Sequence, residues 1–290
     1  MGTKLDTQLA WQQLGDGPDV VLIHGLATSR AFWYPNLALA LKDRYRVTLF
    51  DLKGHGYSEQ PETGYSVTAM AEDLLQLFEE AGIRQAHVIG HSYGGAVALE
   101  FAVAHPERVL SLGVLDARIM RLHPTQRLSD YPHLSAFEDE IARADGRDWE
   151  QEPQIGFAFM EAMARLGASG YEATAREAYT PFGEGRGGRR AARQFVSLLD
   201  ETTARKDFLE PGAEAAQIAA LRMPVLLMYG AASRCMPSGR MLSQLLPDAR
   251  YVVLPEAGHF FPISHADRVR GSVESLLQLG EPRGVLRFAT

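Results

Sequence analysis

The chain has 290 residues, of which 46% are hydrophobic and 22% charged, so it can bury one large globular core. A net charge of −7 argues against a nucleic-acid-binding surface, which would need a basic electrostatic field. The single cysteine cannot form an intrachain disulfide, and neither a signal peptide nor a membrane-spanning apolar run is recognisable, so we expect a cytoplasmic protein without membrane association.

Predicted strands and helices alternate along most of the chain. Residues 5–15 alternate in polarity, which predicts an antiparallel edge strand. Near-continuous apolar runs predict buried strands at 19–25, 45–51, 86–92, 109–116, 223–230 and 249–259. Apolar residues at helical spacing predict helices at 68–82, 93–107, 239–248 and about 264–279. This order predicts an open, doubly wound or related α/β sheet with helices on both faces.

The alternation stops between residues 119 and 212. That segment has no convincing buried strand but carries helical patterns at 135–145, 155–167 and 189–209 and is rich in aromatic residues. A helical insertion between two core strands is most simply a cap over the carboxyl ends of the sheet. We therefore predict a core of residues 1–118 and 213–290 and a cap of residues 119–212. The glycine-rich stretch 182–190 predicts a turn within the cap.

The pentapeptide "GHSYG" at 90–94 joins a predicted strand to a predicted helix. A nucleophile on such a sharp turn needs small neighbours two positions away on either side, and Gly90 and Gly94 supply them. Ser92 would then project from the top of the sheet as a nucleophile. The competing interpretation is a glycine-rich turn whose serine only caps the helix.

Several further motifs occur in a fixed order: "HGLATSRAFW" at 24–33, "DLKGHGYSE" at 51–59 and "EAGHFF" at 256–261. Together with "GHSYGGAVALEFAVAHPERV" at 90–109, they resemble the oxyanion loop, the D-x-x-G-x-G-x-S loop, the histidine loop and the nucleophile elbow of the α/β-hydrolase superfamily. The resemblance covers roughly residues 19–118 and 223–279. It implies a mostly parallel, eight-stranded-type sheet flanked by helices, with an inserted helical cap.

The resemblance also implies roles for individual residues. Ser92 would be the nucleophile, His259 its general base, and the backbone N–H groups of Leu26 and Tyr93 the oxyanion hole. The alternative for His259 is a surface-loop histidine. Three aromatic residues are the expected substrate contacts: Trp33, Phe157 and Phe260. The remaining histidines lack such a context and are interpreted as structural or solvated: His55, His87, His91, His105, His123, His133 and His265.

The carboxylate of a catalytic triad is missing from its usual place. Ser233 occupies the corresponding position, and no acidic residue lies between Met223 and Pro247. Asp116, at the end of the predicted strand before the cap, is the candidate acid. This placement resembles some haloalkane dehalogenases and some polyketide chain-terminating thioesterases. The alternatives are that Asp116 only caps a strand, and that the chain uses a Ser–His dyad or is inactive.

Cofactor and metal signals are weak. "GEGRGG" at 183–188 fits a dinucleotide-binding fingerprint literally but follows no strand, and no cluster shows metal-ligand spacing, so we predict neither a cofactor nor a metal. An arginine group could bind the phosphates of a carrier-linked or coenzyme A-linked acyl substrate, although a solvated helix face is the commoner explanation. Its members are Arg186, Arg189, Arg190 and Arg193.

Serine at the elbow implies acyl-enzyme chemistry on a small-molecule ester, thioester or lactone. The aromatic cap indicates a largely apolar acyl substrate. We therefore expect a serine hydrolase of esterase or thioesterase type. Two rivals stay open: an acyltransferase or cyclase that excludes water, and a pseudo-hydrolase that binds a ligand without turnover. Oligomeric state and natural substrate are beyond the sequence.

Overall fold

The computed structural model describes residues 7–131, 133–175, 179–183 and 185–280. Its strands are β1 (Trp11–Leu14), β2 (Asp19–Ile23), β3 (Arg46–Phe50), β4 (Ala86–His91), β5 (Val109–Leu115), β6 (Val225–Gly230) and β7 (Arg250–Leu254). They form one sheet in the order β1-β3-β2-β4-β5-β6-β7, and β1 is antiparallel to β3 while the other pairs are parallel. The predicted α/β class and edge strand are confirmed. The described sheet has seven strands rather than eight, and residues 1–6 lie outside the described part.

The helices occupy the places between and beyond the strands. They are α1 (Leu39–Leu41), α2 (Val67–Glu80), α3 (Tyr93–Ala104), α4 (Ala136–Asp145), α5 (Ile155–Ser169), α6 (Gly185–Glu201), α7 (Ala204–Asp207), α8 (Ala215–Ala219), α9 (Met236–Leu245), α10 (Phe261–Ser264) and α11 (Ala266–Gly280). Short 3-10 turns occur at Arg30–Phe32, Pro106–Arg108 and Leu128–Asp130, and a π-helical turn at Tyr34–Ala38. Within the described residues, no helix is both long and apolar enough to cross a membrane.

Helix α2 shows how local sequence sets these boundaries. Ser66 precedes it in extended conformation and its hydroxyl accepts a hydrogen bond from the third N–H of the helix. Apolar residues then recur at helical spacing, and Met70, Leu74 and Leu77 are fully buried against the sheet. Burying each such side chain stabilises the fold by roughly 1.5–3 kcal/mol. The helix ends before Gly82, whose φ of +66° is the left-handed conformation predicted for a terminating glycine.

Both faces of the sheet are covered, which explains the uninterrupted apolar runs. Along β2, Val21 and Ile23 pack into the core shared with α2, α3, α8 and α9. Val20 and Leu22 point to the opposite core, shared with α1 and α11. Side chains alternate between faces along a strand, so a strand with two covered faces must be apolar at every position.

The segment between β5 and β6 is helical, as its sequence predicts, but two details differ. The single helix predicted at 189–209 is two helices, α6 and α7, separated at residues 202–203. The turn predicted at 182–190 is wrong from Gly185 onward, because α6 already begins there. Gly188 is buried directly beneath the carbonyl oxygens of Phe182 and Gly183, where a Cβ atom would not fit. Glycine is there for close packing. The division into core and cap stays a prediction.

Candidate active site

Ser92 lies on a sharp turn between β4 and α3. Its φ of 56° and ψ of −126° are unusual for a residue with a side chain. Cβ atoms at Gly90 and Gly94 would collide with backbone atoms of Gly94 and His24, respectively, so both positions require glycine. A Cβ atom at Gly25 would come within 2.8 Å of the Cβ atom of Ser92. The turn therefore presents the serine hydroxyl at the carboxyl end of the sheet, with its neighbours held close by glycine.

His259 lies in the loop between β7 and α10, and its ring joins two other side chains. Its Nε2 atom is 3.0 Å from the Ser92 hydroxyl oxygen, and its Nδ1 atom is 2.7 Å from a carboxylate oxygen of Asp116. The backbone oxygen of His259 accepts a 2.8 Å hydrogen bond from Nε2 of His91. The ionised Asp116 carboxylate can only accept a hydrogen bond, so in the neutral ring Nδ1 carries the proton and Nε2 is free to receive the serine proton. His91, interpreted as structural from the sequence, holds this loop.

Asp116 follows β5 directly and is fully buried. Its φ of 48° turns the side chain towards the neighbouring strand end. The backbone N–H of Gly230 donates to one carboxylate oxygen at 2.9 Å, and the Ser233 hydroxyl and His259 donate to the other. A buried carboxylate is tolerated when several donors solvate it in this way. Ser233, at the position where the acid was expected, hydrogen-bonds the carboxylate that takes its place.

The surroundings of His259 favour its charged form. Burial lowers the pKa of His259, whereas the nearby Cys235 sulfur and the hydrogen-bonded Asp116 carboxylate raise it, and the net direction is upward. The imidazolium that forms when a histidine takes a proton from serine is therefore stabilised at this site. Because the raised pKa keeps the ring of His259 protonated to higher pH, a more alkaline solution is needed before Nε2 can accept the serine proton.

The two predicted oxyanion donors flank Ser92. Tyr93 begins α3, so its backbone N–H lacks an acceptor within the helix. Leu26 follows Gly25 in a loop that His24 fixes: Nδ1 of His24 donates to the Gly25 carbonyl at 2.7 Å, and Nε2 accepts the Leu52 N–H at 2.9 Å. Burial lowers the pKa of His24 to about 3, which keeps the ring neutral. Both Leu26 and Tyr93 line the cavity beside Ser92.

A cavity of about 590 Å³ opens in front of Ser92 and His259. Much of its wall comes from the segment between β5 and β6, and this part is mainly apolar. The contributing side chains include Met120, Tyr131, Phe157, Phe159, Met160, Met163, Tyr179 and Phe208. Volume and lining are typical of a site for a small or medium-sized organic molecule.

The predicted substrate contacts divide into two groups. Phe157 and Phe260 line the cavity. Trp33 does not, because its side chain is 1% exposed and packs behind Phe32 and His91 in the core on the other face of the sheet. The expectation that Trp33 contacts a substrate is therefore wrong. Its position in the oxyanion-loop motif indicated that it lies near the site, but the sequence position alone could not predict that its side chain is buried in the core.

Three residues of this region were not assigned a role from the sequence. Cys235 is buried, with its sulfur 3.9 Å from Nδ1 of His259. Tyr179 lines the cavity and packs against Phe260, with ring centres 4.5 Å apart. Arg118 also lines the cavity. Its position two residues after the candidate acid Asp116 is the sequence feature that could have indicated its nearness to the site. The four members of the arginine group lie on α6, where Arg186, Arg190 and Arg193 are exposed and Arg189 is half-buried.

Among the described residues, one group could offer three atoms to a metal ion: Asp116, Cys235 and His259, whose donor atoms lie within 4.8 Å of one another. Their separation along the chain explains why no ligand spacing is visible in the sequence. Asp116 and His259 already bond to each other, as proton transfer requires.

Comparison with known proteins agrees with the fold described above. A family model for the alpha/beta hydrolase fold matches residues 18–266. Pimeloyl-[acyl-carrier protein] methyl ester esterase of Aeromonas hydrophila subsp. hydrophila is 30% identical, and the match covers 88% of this chain and 93% of the esterase. 2-(Acetamidomethylene)succinate hydrolase of Mesorhizobium japonicum is 25% identical, over 86% and 84%. The enol-lactonase structure from Burkholderia xenovorans LB400 aligns with a TM-score of 0.65 at 22% identity, over 94% and 97%, which shows a shared fold.

Proposed function

The chain belongs to the α/β-hydrolase family, and from that premise we propose that it hydrolyses an ester or thioester through an acyl-enzyme on Ser92. The observation that carries this proposal is the pair of contacts made by His259, 3.0 Å to the Ser92 hydroxyl and 2.7 Å to Asp116. A serine, a base in contact with it and a carboxylate that orients the base are the parts of a serine hydrolase.

Acylation begins when Nε2 of His259 takes the proton of the Ser92 hydroxyl. The serine oxygen attacks the carbonyl carbon, and the negative charge that develops on the carbonyl oxygen is stabilised by the N–H groups of Leu26 and Tyr93. Asp116 stabilises the positively charged His259 by its hydrogen bond to Nδ1. When the tetrahedral intermediate collapses, His259 gives the proton to the leaving alcohol or thiol, and the acyl group stays on Ser92.

Deacylation repeats these steps with water in the place of serine. His259 removes a proton from the water molecule, whose oxygen attacks the acyl-enzyme, and Ser92 recovers its proton as the free acid leaves. The apolar walls supplied by Phe157 and Phe260 support a largely apolar acyl group. An esterase function also agrees with the name of the relative from Aeromonas hydrophila, a methyl ester esterase.

We propose to test this function by treating the protein with a fluorophosphonate, which labels activated serines, and by following hydrolysis of p-nitrophenyl butyrate. We expect one phosphonyl adduct on the peptide that contains Ser92, and no adduct and no turnover in Ser92→Ala. Ser111→Ala is the matched control, because that buried serine lies on β5 and its hydroxyl is hydrogen-bonded to Nδ1 of His87, away from the cavity. Labelling that persists in Ser92→Ala would contradict the assignment of the nucleophile.

A further inference from the structure

Arg118 is a cationic side chain in the cavity wall, and its hydrogen bonds to the described residues leave part of it unsatisfied. It lies in the loop after β5, two residues beyond Asp116. Its Nε atom donates to the carbonyl oxygen of His123 at 2.9 Å, while its Nη2 atom is buried and has no hydrogen-bond partner. Across the described ranges, no acidic side chain forms an ion pair with it. The guanidinium therefore enters the interior with only part of its hydrogen-bonding capacity used.

Such a group is costly in a folded protein. Burial lowers the pKa of Arg118, because the protein interior solvates a cation less well than water does. Cys235 and Tyr131, whose negative charge would raise this pKa, also line the cavity, and neither is an obligatory anion. Arg118 is partly buried, and its Nη2 atom is fully buried without a hydrogen-bond partner in the described part of the chain. A buried polar atom of a cation is ordinarily paired, so one in the wall of a ligand cavity indicates that the ligand supplies the partner.

Two neighbouring arginines differ from Arg118, because each of them forms an ion pair with a glutamate. Arg234 lines the same cavity but pairs with Glu138 at 2.5 Å. Arg121, in the same loop, pairs with Glu214 at 2.8 Å and does not line the cavity. Both neighbouring cations are thus neutralised by the protein itself, whereas Arg118 has no acidic partner among the residues that the structure describes.

We propose that Arg118 binds a carboxylate of the substrate, so that the preferred ester carries a negative charge on either its acyl or its alcohol part. This inference rests on the proposed hydrolysis at Ser92. A carboxylate suits the site better than a phosphate monoester does, because one guanidinium balances one negative charge and a phosphate monoester carries nearly two. Three acidic residues line the cavity: Glu138 is paired with Arg234, and Glu100 and Glu210 would disfavour a more highly charged ligand.

The test compares matched esters that differ only in this charge. On the acyl side, p-nitrophenyl hydrogen adipate is compared with its neutral methyl ester. On the alcohol side, 3-carboxy-4-nitrophenyl hexanoate is compared with p-nitrophenyl hexanoate. We expect wild type to prefer the anionic ester in one arm, measured as a kcat/KM ratio. Arg118→Met should lower that ratio about 10- to 100-fold, the usual effect of losing a hydrogen bond to a charged group.

Two variants separate recognition from a structural role. Arg118→Lys, which keeps the charge but not the planar fork, should recover part of the preference. Arg121→Met is the matched control, because it removes a paired cation from the same loop, and it should leave the ratio unchanged. If Arg118 only supports the loop through its bond to His123, Arg118→Met would slow the anionic and neutral esters equally, which would overturn the proposal.

Failure of the proposed hydrolysis would be visible separately, as absence of turnover of every ester by wild type. Binding of hexanoate, a monoanion, then decides, measured as the rise in melting temperature that it produces. A rise in wild type that is lost in Arg118→Met supports carboxylate recognition without turnover. A rise of equal size in both proteins, or none in wild type, overturns it.

Discussion

Replacing Asp116 with asparagine tests the displaced acid most directly, because the structure fixes how the new amide must sit. The backbone N–H of Gly230 donates to one oxygen of the carboxylate at 2.9 Å. The oxygen of the introduced amide will take that position, since the alternative would place two N–H groups face to face. The amide NH₂ then faces His259 and donates to Nδ1. This reversal leaves the proton of His259 on Nε2, where it cannot accept the proton of Ser92.

The expected loss follows from this wrong tautomer together with the lost charge. In a triad of this type the same change lowers kcat by about four orders of magnitude. We expect a fall of about 10³- to 10⁴-fold in kcat/KM for p-nitrophenyl butyrate, or about 4–5.5 kcal/mol of transition-state stabilisation. Asparagine has nearly the shape of aspartate, so the melting temperature is measured on the same samples to confirm that the variant is folded.

A second substitution on the Asp116→Asn background makes the interpretation sharper. Ser233 already hydrogen-bonds the Asp116 carboxylate, so an aspartate at position 233 would place a carboxylate beside the ring of His259. We expect Ser233→Asp to recover at least about tenfold of the lost activity, since the charge then returns near Nδ1. A folded Asp116→Asn variant within about tenfold of wild type would refute the reasoning, because Ser92 and His259 would then work without the buried acid.

Three further predictions follow from groups around the site and the sheet. Because the pKa of His259 is raised and only its neutral ring is a base, kcat/KM should rise with pH to an alkaline plateau; a profile already flat below about pH 6.5 would contradict this. Gly25→Ala should cut kcat about 100-fold by displacing the nucleophile's side chain, whereas Gly271→Ala, with open space around its Cβ position, should have no effect. Burial lowers the pKa of His24 to about 3 and of His87 to about 4, so the free energy of unfolding falls as the pH drops from about 6.5 towards these values. Urea unfolding should show about 2 kcal/mol lost per histidine by about pH 5, and equal stability at about pH 7 and pH 5 would contradict this.

The order and type of the core elements could be predicted because burial on both faces leaves a local signal. The strand at 86–92 and the glycine pattern around Ser92 are readable for this reason, since a tight turn tolerates few residue types. Asp116 could be named as a candidate by elimination, but its three hydrogen-bond donors come from residues over 100 positions away. The burial of Trp33 and the helical start at Gly185 depend on packing between distant segments. No local pattern encodes either of them.

The unpaired guanidinium of Arg118 lies beyond the reach of sequence analysis for the same reason. An arginine on a loop is ordinarily solvated, and its surroundings become unusual only when the cavity walls enclose it. Ser233 illustrates the complementary case. Its sequence position signals that an acid is absent, while its role as a donor to Asp116 appears only once the two strand ends lie side by side.

The placement of the acid before the β5–β6 segment has a consequence for how activity appears during biosynthesis. Ser92 and Asp116 are both made within the first 116 residues, yet the hydrogen-bond donors to the Asp116 carboxylate all lie between Gly230 and His259. A nascent chain that ends before β6 therefore holds Ser92 and Asp116 without His259 and without the donors to the Asp116 carboxylate. On the proposed mechanism, hydrolysis begins only after β6 and β7 have joined the sheet, so activity reports the completion of folding and a chain truncated before His259 has none.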